Sequence, residues 1–210
     1  MYQLYNNPFS QHSRRVVALM EEAGLDYEPR HVALDAGEHM STAFLGINPN
    51  HQVPVLVDGD LTLWESNAIL RYLCHKHALW NWYPQEARAR ARVEQWLDWN
   101  QCRLSPGVID IVLNKMFLGE AGDAAAIERG EARIAELAPI LEAALSDQPF
   151  IAGAMPTIAD ISIASNVTQL ALADAVPDHP ALRRWHDRVC ALDGVRKSNA
   201  ALAPEAAMTA

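Results

Sequence analysis

In the first third of the chain, short apolar runs alternate with helically spaced apolar positions; afterwards only the helical spacing remains. Residues 2–5 predict a strand. Val16, Leu19, Met20 and Ala23 recur every three or four positions and stop at Gly24, which predicts a helix and its end. Residues 27–34 predict a second strand, so the three form a βαβ unit with parallel strands and a right-handed crossover. A short helix near residues 41–45 leads into the irregular stretch INPNHQ. Two further apolar runs follow, 53–57 and 61–64, separated by Asp58-Gly59-Asp60, a strong hairpin signal. Ile69, Leu70 and Leu73 then share one face of a helix over residues 66–76, giving the order βαβαββα.

Downstream the strand signals vanish. The stretch HALWNWYPQE is aromatic and aperiodic and contains Pro84, which predicts a linker over residues 78–86 lying against a packed surface. Val93, Trp96, Leu97, Gln101 and Leu104 mark a helix that Pro106 and Gly107 should end or kink. Ile127, Ile134, Leu137 and Leu141 mark another, interrupted by Pro139. A third opens at Thr157, where T-I-A-D is a capping box, and Leu182, Trp185, Val189 and Leu192 form the last stripe. The alanine-rich end after Ala200 is expected to fray. The organisation predicted is an α/β domain over residues 1–77, the linker, and an all-helical domain over residues 87–210.

Charge and cysteine usage narrow the setting. A formal net charge of -9 repels nucleic-acid phosphate and anionic lipid, so bulk polyanions are poor partners. Cys74, Cys102 and Cys190 are scattered and odd in number, without a C-x-x-C pair, which argues against a disulfide scaffold or a cysteine metal site. The start MYQLYNNPFSQH lacks the basic and apolar regions of a signal peptide, and no membrane-length apolar run occurs. A cytoplasmic protein with reduced thiols is expected.

Candidate chemistry clusters in the first domain. Ser10 lies just before the first helix, where unpaired N–H groups and the positive end of the macrodipole stabilise a developing anion; capping alone would also explain it. Pro54 opens a strand, so Val53-Pro54 must sit at an edge or in a turn, and a cis bond there would turn the Val53 backbone outward for a peptide-like ligand. Glu65 and Ser66 begin the next helix and either cap it or hold an ammonium and a carboxylate. His12 is two residues from Ser10 and reads as a solvated turn residue; no G-x-S-x-G elbow supports a serine hydrolase.

The strings LYNNPFSQHSRRV and GEHMSTAFLGINPNHQVPVLVDGDLTLWESNAILRYL, with the capping box before ADISIA, resemble a cytosolic glutathione S-transferase over nearly the whole chain. Ser10 four residues before Arg14 is similar to the serine-type theta, phi and delta classes. The resemblance implies a thioredoxin-like domain followed by a helical one, and it implies a glutathione site. Ser10 matches the catalytic serine, whose hydroxyl would favour the thiolate. Val53 and Pro54 match the turn that pairs with the cysteinyl backbone, and Glu65 and Ser66 match the pair at the γ-glutamyl end. His39 and Gln52 match phi-type residues near the glycyl end, and His51 matches a delta-type histidine of the same loop. Met40 departs from the pattern, standing where phi-type enzymes often have lysine.

A homodimeric transferase is therefore expected, with glutathione as cosubstrate and no metal. An apolar electrophile would lie near Pro8, Phe9, Leu104 and Val108. Glutathione-dependent disulfide or peroxide reduction is the rival chemistry, and a non-catalytic binding protein on the same scaffold is the rival class. The S-Q-H-S turn carries no thiol, so a working sulfur would arrive with the cosubstrate.

Overall fold

A computed structural model describes residues 1–202. Its elements run β1 (Tyr2–Asn6), α1 (Gln11–Glu22), β2 (Tyr27–His31), a 3-10 turn (Glu38–Met40), α2 (Thr42–Leu45), β3 (Val55–Asp58), β4 (Leu61–Trp64), α3 (Ser66–Lys76), α4 (Ala87–Trp99), α5 (Ser105–Val112), α6 (Ala124–Leu145), α7 (Ile158–Leu172), α8 (Pro180–Cys190) and α9 (Asp193–Ser198). The predicted βαβαββα order is present, and the later elements are helical. The described chain forms two compact units: residues 1–79 together with residues 191–202, and residues 80–190.

In the first unit the strand order is β2-β1-β3-β4. β1 is parallel to β2, with Asn6 opposite His31, and antiparallel to β3, with Tyr5 opposite Val55. β3 is antiparallel to β4, with Val55 opposite Trp64. Period-two alternation divides the core between the two faces of the sheet. Val32, Phe44, Val53 and Val55 form one cluster with Tyr5, Leu34 and Ile47 against it. On the other face Leu4 and Leu56 are fully buried, as are Val16, Leu19 and Met20 of α1 and Ile69, Leu70 and Leu73 of α3. The hairpin turns at Gly59, whose φ of 63° is readily adopted by glycine.

Three expectations change. β2 ends at His31 rather than at residue 34, because the Glu38 carboxylate takes the Ala33 N–H at 2.7 Å in place of a neighbouring strand. Pro106 does not end its helix: a π-helical turn over Asn100–Leu104 precedes it, and helical conformation continues to Phe117. A widened turn accommodates a proline ring that would otherwise clash with the carbonyl four residues earlier. Most consequentially, α9 belongs with the first unit rather than with the helical half. The Gly194 N–H donates to Glu22 Oε1 at 2.6 Å, and Lys197 Nζ pairs with Glu21 Oε2 at 3.0 Å. Beyond the 3-10 turn Ala200–Leu202, the fraying expected of the C-terminus falls on residues 203–210, outside the described residues.

The second unit is organised around Asp160. Its buried carboxylate accepts from the Ile151 N–H at 2.7 Å, the Thr157 N–H at 2.8 Å, the Thr157 hydroxyl at 3.0 Å and Trp185 Nε1 at 2.8 Å. Burial pushes its pKa up, and those donors oppose the rise. The predicted capping box thus ties α7 to α8 as well as closing its own turn. The aromatic linker lies against this unit: the Trp82 carbonyl accepts from the Ile158 N–H at 3.0 Å, and Arg90 Nε donates to the Pro84 carbonyl at 2.8 Å. Among the described residues no helix is long and apolar enough to cross a membrane.

Candidate functional site

Strand direction gathers the candidate residues at one end of the sheet. β1 and its parallel neighbour β2 finish there, antiparallel β3 begins there, and β4 finishes there. The loop before α1, the Val53-Pro54 turn and the β4–α3 junction are therefore neighbours. Because the order is β2-β1-β3-β4, the segment after β2 and the β4–α3 junction lie on opposite flanks of that turn.

Ser10 is the N-cap of α1, and its Oγ accepts from the Ser13 N–H at 3.3 Å. One lone pair is thus engaged, while the hydroxyl hydrogen is available to donate outward. The loop carrying Ser10 is held by Arg14, by Ser13 and by Asn7, the last of which sequence reasoning did not single out. Asn7 Oδ1 accepts from the Phe9 N–H at 2.9 Å, and Asn7 Nδ2 donates to the Val32 carbonyl at 3.0 Å. Arg14 Nη1 donates to the Pro8 carbonyl at 3.1 Å, and Ser13 Oγ accepts from the Asn7 N–H at 3.3 Å. An Asn two residues before an Asn-Pro-Phe turn's exposed ring is a weak signal in sequence, which is why only the tertiary contacts reveal its role.

The Val53-Pro54 peptide is cis. Asn48 supports the approach to it, donating through Nδ2 to the Gln52 carbonyl at 2.7 Å while Oδ1 accepts from the Asn50 N–H at 3.0 Å. His51 and Glu65 have φ of 58° and 68°. Positive φ at such residues costs about 1–3 kcal/mol each and concentrates at functional sites. Glu65 precedes α3, whose first residues Ser66 and Asn67 are nearly inaccessible. Beneath them Arg15 is fully buried, with Nη1 3.5 Å from both Ser66 Oγ and Asn67 Oδ1. Burial, then repulsion from Arg14, lowers the Arg15 pKa to about 9, and Glu65 opposes this. Arg15 still carries its charge at neutral pH, so a cation and a helix N-terminus converge on this flank.

His39 sits on the 3-10 turn Glu38–Met40, and Met40 is 58 % exposed. Neither His39 Nδ1 nor His51 Nδ1 has a hydrogen-bond partner among the described residues. His12 departs from expectation: it is a half-buried member of α1, and burial with Arg15 and Arg14 nearby drives its pKa down to about 3. Its imidazole is neutral.

The expected cosubstrate residues divide. Phe9 is 42 % exposed, and Pro8 borders a hollow of about 260 Å³ walled by Asn7, Arg14, Tyr27 and Lys197. Leu104 and Val108, by contrast, are core residues of the helical unit, 2 % and 0 % exposed, and offer no surface to a substrate. The π-helical turn shifts the register of the rod, and Ile109, Leu113, Met116 and Phe117 are its exposed apolar residues. Cys74 is buried, which pushes its thiol up to about 12, and none of the three cysteines forms a disulfide among the described residues. Among the described residues no group of three or more His, Cys, Asp or Glu could hold a metal ion.

These features define a two-unit, thioredoxin-like scaffold with a cis Val53-Pro54 turn and a serine at a helix N-terminus. The family models for the glutathione S-transferase N-terminal domain and C-terminal domain match residues 1–75 and 124–188. Glutathione S-transferase 3 of Zea mays is 34 % identical over 95 % of this chain and 93 % of its own. Glutathione S-transferase theta-1 of Mus musculus is 34 % identical over 91 % and 83 %. Among solved structures, glutathione transferase F7 from Populus trichocarpa superposes with a TM-score of 0.88 at 27 % identity, covering 97 % of this chain and 100 % of that one. The apo form of human glutathione S-transferase T1-1 gives 0.88 at 30 % identity, covering 96 % and 89 %. The chain belongs to the glutathione S-transferase family. It is a glutathione transferase whose relatives include both theta and plant F-type enzymes.

Proposed function

We propose that Ser10 stabilises the thiolate of glutathione bound along the end of the sheet, and that this thiolate attacks an apolar electrophile beside Phe9 and Pro8. The observation that carries the reading is the Ser10 hydroxyl at the N-terminus of α1, one lone pair engaged by the Ser13 N–H. The Val53 backbone pairs with the cysteinyl residue, Glu65 and Ser66 hold the γ-glutamyl end with Arg15 behind them, and His39, His51 and Gln52 lie toward the third residue.

A free thiol has a pKa of about 8.5 and is only a few per cent ionised at neutral pH. A hydroxyl donor and a helix terminus can together lower it by about one to two units, each worth about 1.4 kcal/mol of preference for thiolate. The thiol proton leaves to solvent. Sulfur then forms a bond to the electrophilic carbon, and the leaving group departs with its electron pair. Two copies of the chain are expected to associate as a homodimer, and thiols outside any disulfide among the described residues fit a cytoplasmic setting.

The test is turnover of an aryl halide with glutathione, comparing the parent with Ser10→Ala across pH. The variant is expected to lose about ten- to a hundredfold in kcat/KM near neutrality, with the bound thiol titrating about one to two units higher. Unchanged activity and an unchanged pH profile would remove Ser10 from the mechanism. Light scattering on the same preparation reads the dimer.

A further inference from the structure

We infer that Cys190 is a thiol–disulfide exchange site, served by His186 as its base and suited to small disulfides that are neutral or cationic. The site lies between α7 and α8 of the helical unit and is independent of the role given to Ser10.

A thiol, an imidazole and a hydroxyl meet there. Cys190, the last residue of α8, places Sγ 3.4 Å from Nε2 of His186, which is one helical turn earlier. Thr168 of α7 reaches the same nitrogen through Oγ1 at 2.9 Å, and that hydroxyl is 3.9 Å from Sγ. All three residues are half-buried, so the sulfur is held against the imidazole yet open to a small reagent. The other cysteines lack this arrangement. Cys74 is enclosed in the core of the α/β unit, and Cys102 is exposed on the π-helical turn with no imidazole at hydrogen-bond distance among the described residues.

Position dictates the chemistry. The C-terminus of a helix is the negative end of its macrodipole and disfavours a resting thiolate, so the proton must leave as the sulfur attacks. Burial lowers the His186 pKa below its usual value, which leaves the imidazole neutral near pH 7 and able to take that proton; Asp187 and a hydrogen bond to the Ala164 backbone oppose the lowering. The remaining carboxylates bonded to α8 serve other groups: Asp160 holds Trp185, Glu142 the Ala181 and Leu182 N–H groups, and Asp178 the Arg183 guanidinium. As the proton passes to Nε2, Sγ bonds to one sulfur of the disulfide and the original sulfur–sulfur bond breaks. The departing thiolate keeps the electron pair and recovers the proton from the imidazolium. Cys190 is thereby oxidised to a mixed disulfide while the other half of the reagent is reduced to a thiol.

Charge selects the reagent. Asp187, on the turn before Cys190, forms no ion pair among the described residues. Of the cations on α8, Arg184 acts on Glu142, and Arg188 donates to the Pro149 carbonyl at 2.6 Å. Asp187 and the helix terminus together repel an anionic disulfide.

The experiment incubates the parent protein with excess cystamine and follows each cysteine by peptide mass mapping against time and pH. Cys190 should be modified at least about tenfold faster than Cys102 at pH 7, and its rate should change by less than about threefold between pH 6.5 and 8. His186→Gln should be slower by about tenfold at pH 7 and should gain about tenfold per pH unit, the dependence of a thiol that ionises into solvent. Thr168→Val, which leaves Nε2 to the thiol alone, should keep at least the parent rate. With β-mercaptoethanol as the reference thiol, cystamine should be favoured over glutathione disulfide by about tenfold at low salt. Cys190 reacting no faster than Cys102 overturns the inference, and so does a parent rate that climbs with pH as steeply as that of His186→Gln. A preference for glutathione disulfide over cystamine overturns the class of reagent assigned.

Discussion

Gly194→Ala sets two physical effects against each other in one residue. Gly194 lies inside α9, where exchanging glycine for alanine ordinarily stabilises a helix by about 0.5–1 kcal/mol. In this protein the added methyl would sit 2.2 Å from the Ala18 carbonyl oxygen and 2.7 Å from both Glu22 N and Glu22 Cγ. Two of those three atoms are backbone of α1, so a side-chain rotation cannot relieve the contact. α9 must withdraw by about 1 Å, a gap that forfeits a quarter to a half of the dispersion energy along the contact. Withdrawal also strains the 2.6 Å bond from the Gly194 N–H to Glu22 and opens the burial of Val195 and Ser198. Overpacking of this kind costs about 1–3 kcal/mol, and the strained hydrogen bond about another 1. The net expectation, after the helix-propensity gain, is destabilisation by about 1–3 kcal/mol, or a Tm lower by about 2–12 °C for a chain of this size. Thermal unfolding followed by circular dichroism reads the shift, and limited proteolysis reads release of the C-terminal segment. A variant melting at or above the parent temperature would refute the close docking of α9 on α1.

Other expectations follow from the buried groups. Asp160→Ala removes the acceptor of four hydrogen bonds and should destabilise the helical unit by about 3–5 kcal/mol, measured by urea unfolding. Asp160→Asn should recover part of that loss. His12 has a folded pKa pushed down to about 3, so the unfolded chain binds the proton more tightly; stability is fully present above about pH 6.5 and declines as pH falls toward 3. Because His12 is only half-buried, the loss at pH 5 is at most about 2 kcal/mol, and His12→Gln should flatten the slope of stability against pH in that interval. An identical slope in the variant would show that His12 is solvated in the folded protein.

Much of the first unit was legible in the sequence because each element carries a local signal. Val16, Leu19 and Met20 announce α1, Asp58-Gly59-Asp60 the hairpin, Ser10 and Thr157 their helix caps, and Pro54 a strand that begins at an unusual turn. The positions of Ser10, Val53, Glu65 and Ser66 were legible for the same reason, since caps, turns and strand starts are where short-range chemistry speaks. What surrounds them was not. Arg15 carries no local signal of its own, yet it is the fully buried cation beneath Ser66, because helical periodicity says which face a residue occupies but not what that face meets. His12 was read as a solvated turn residue for want of the same knowledge.

By itself, then, the sequence determined the order of elements, the division into an α/β and a helical half, and a candidate site distributed over three separated segments. Tertiary structure alone decided that those segments share one end of the sheet, since that depends on strand direction and the order β2-β1-β3-β4. It also decided that Leu104 and Val108 are wholly enclosed in the core of the helical unit, and that α9 returns to the first unit. That last choice depends on a close approach between Gly194 and the backbone of α1, two segments separated by most of the chain, and no local pattern encodes a contact of that range.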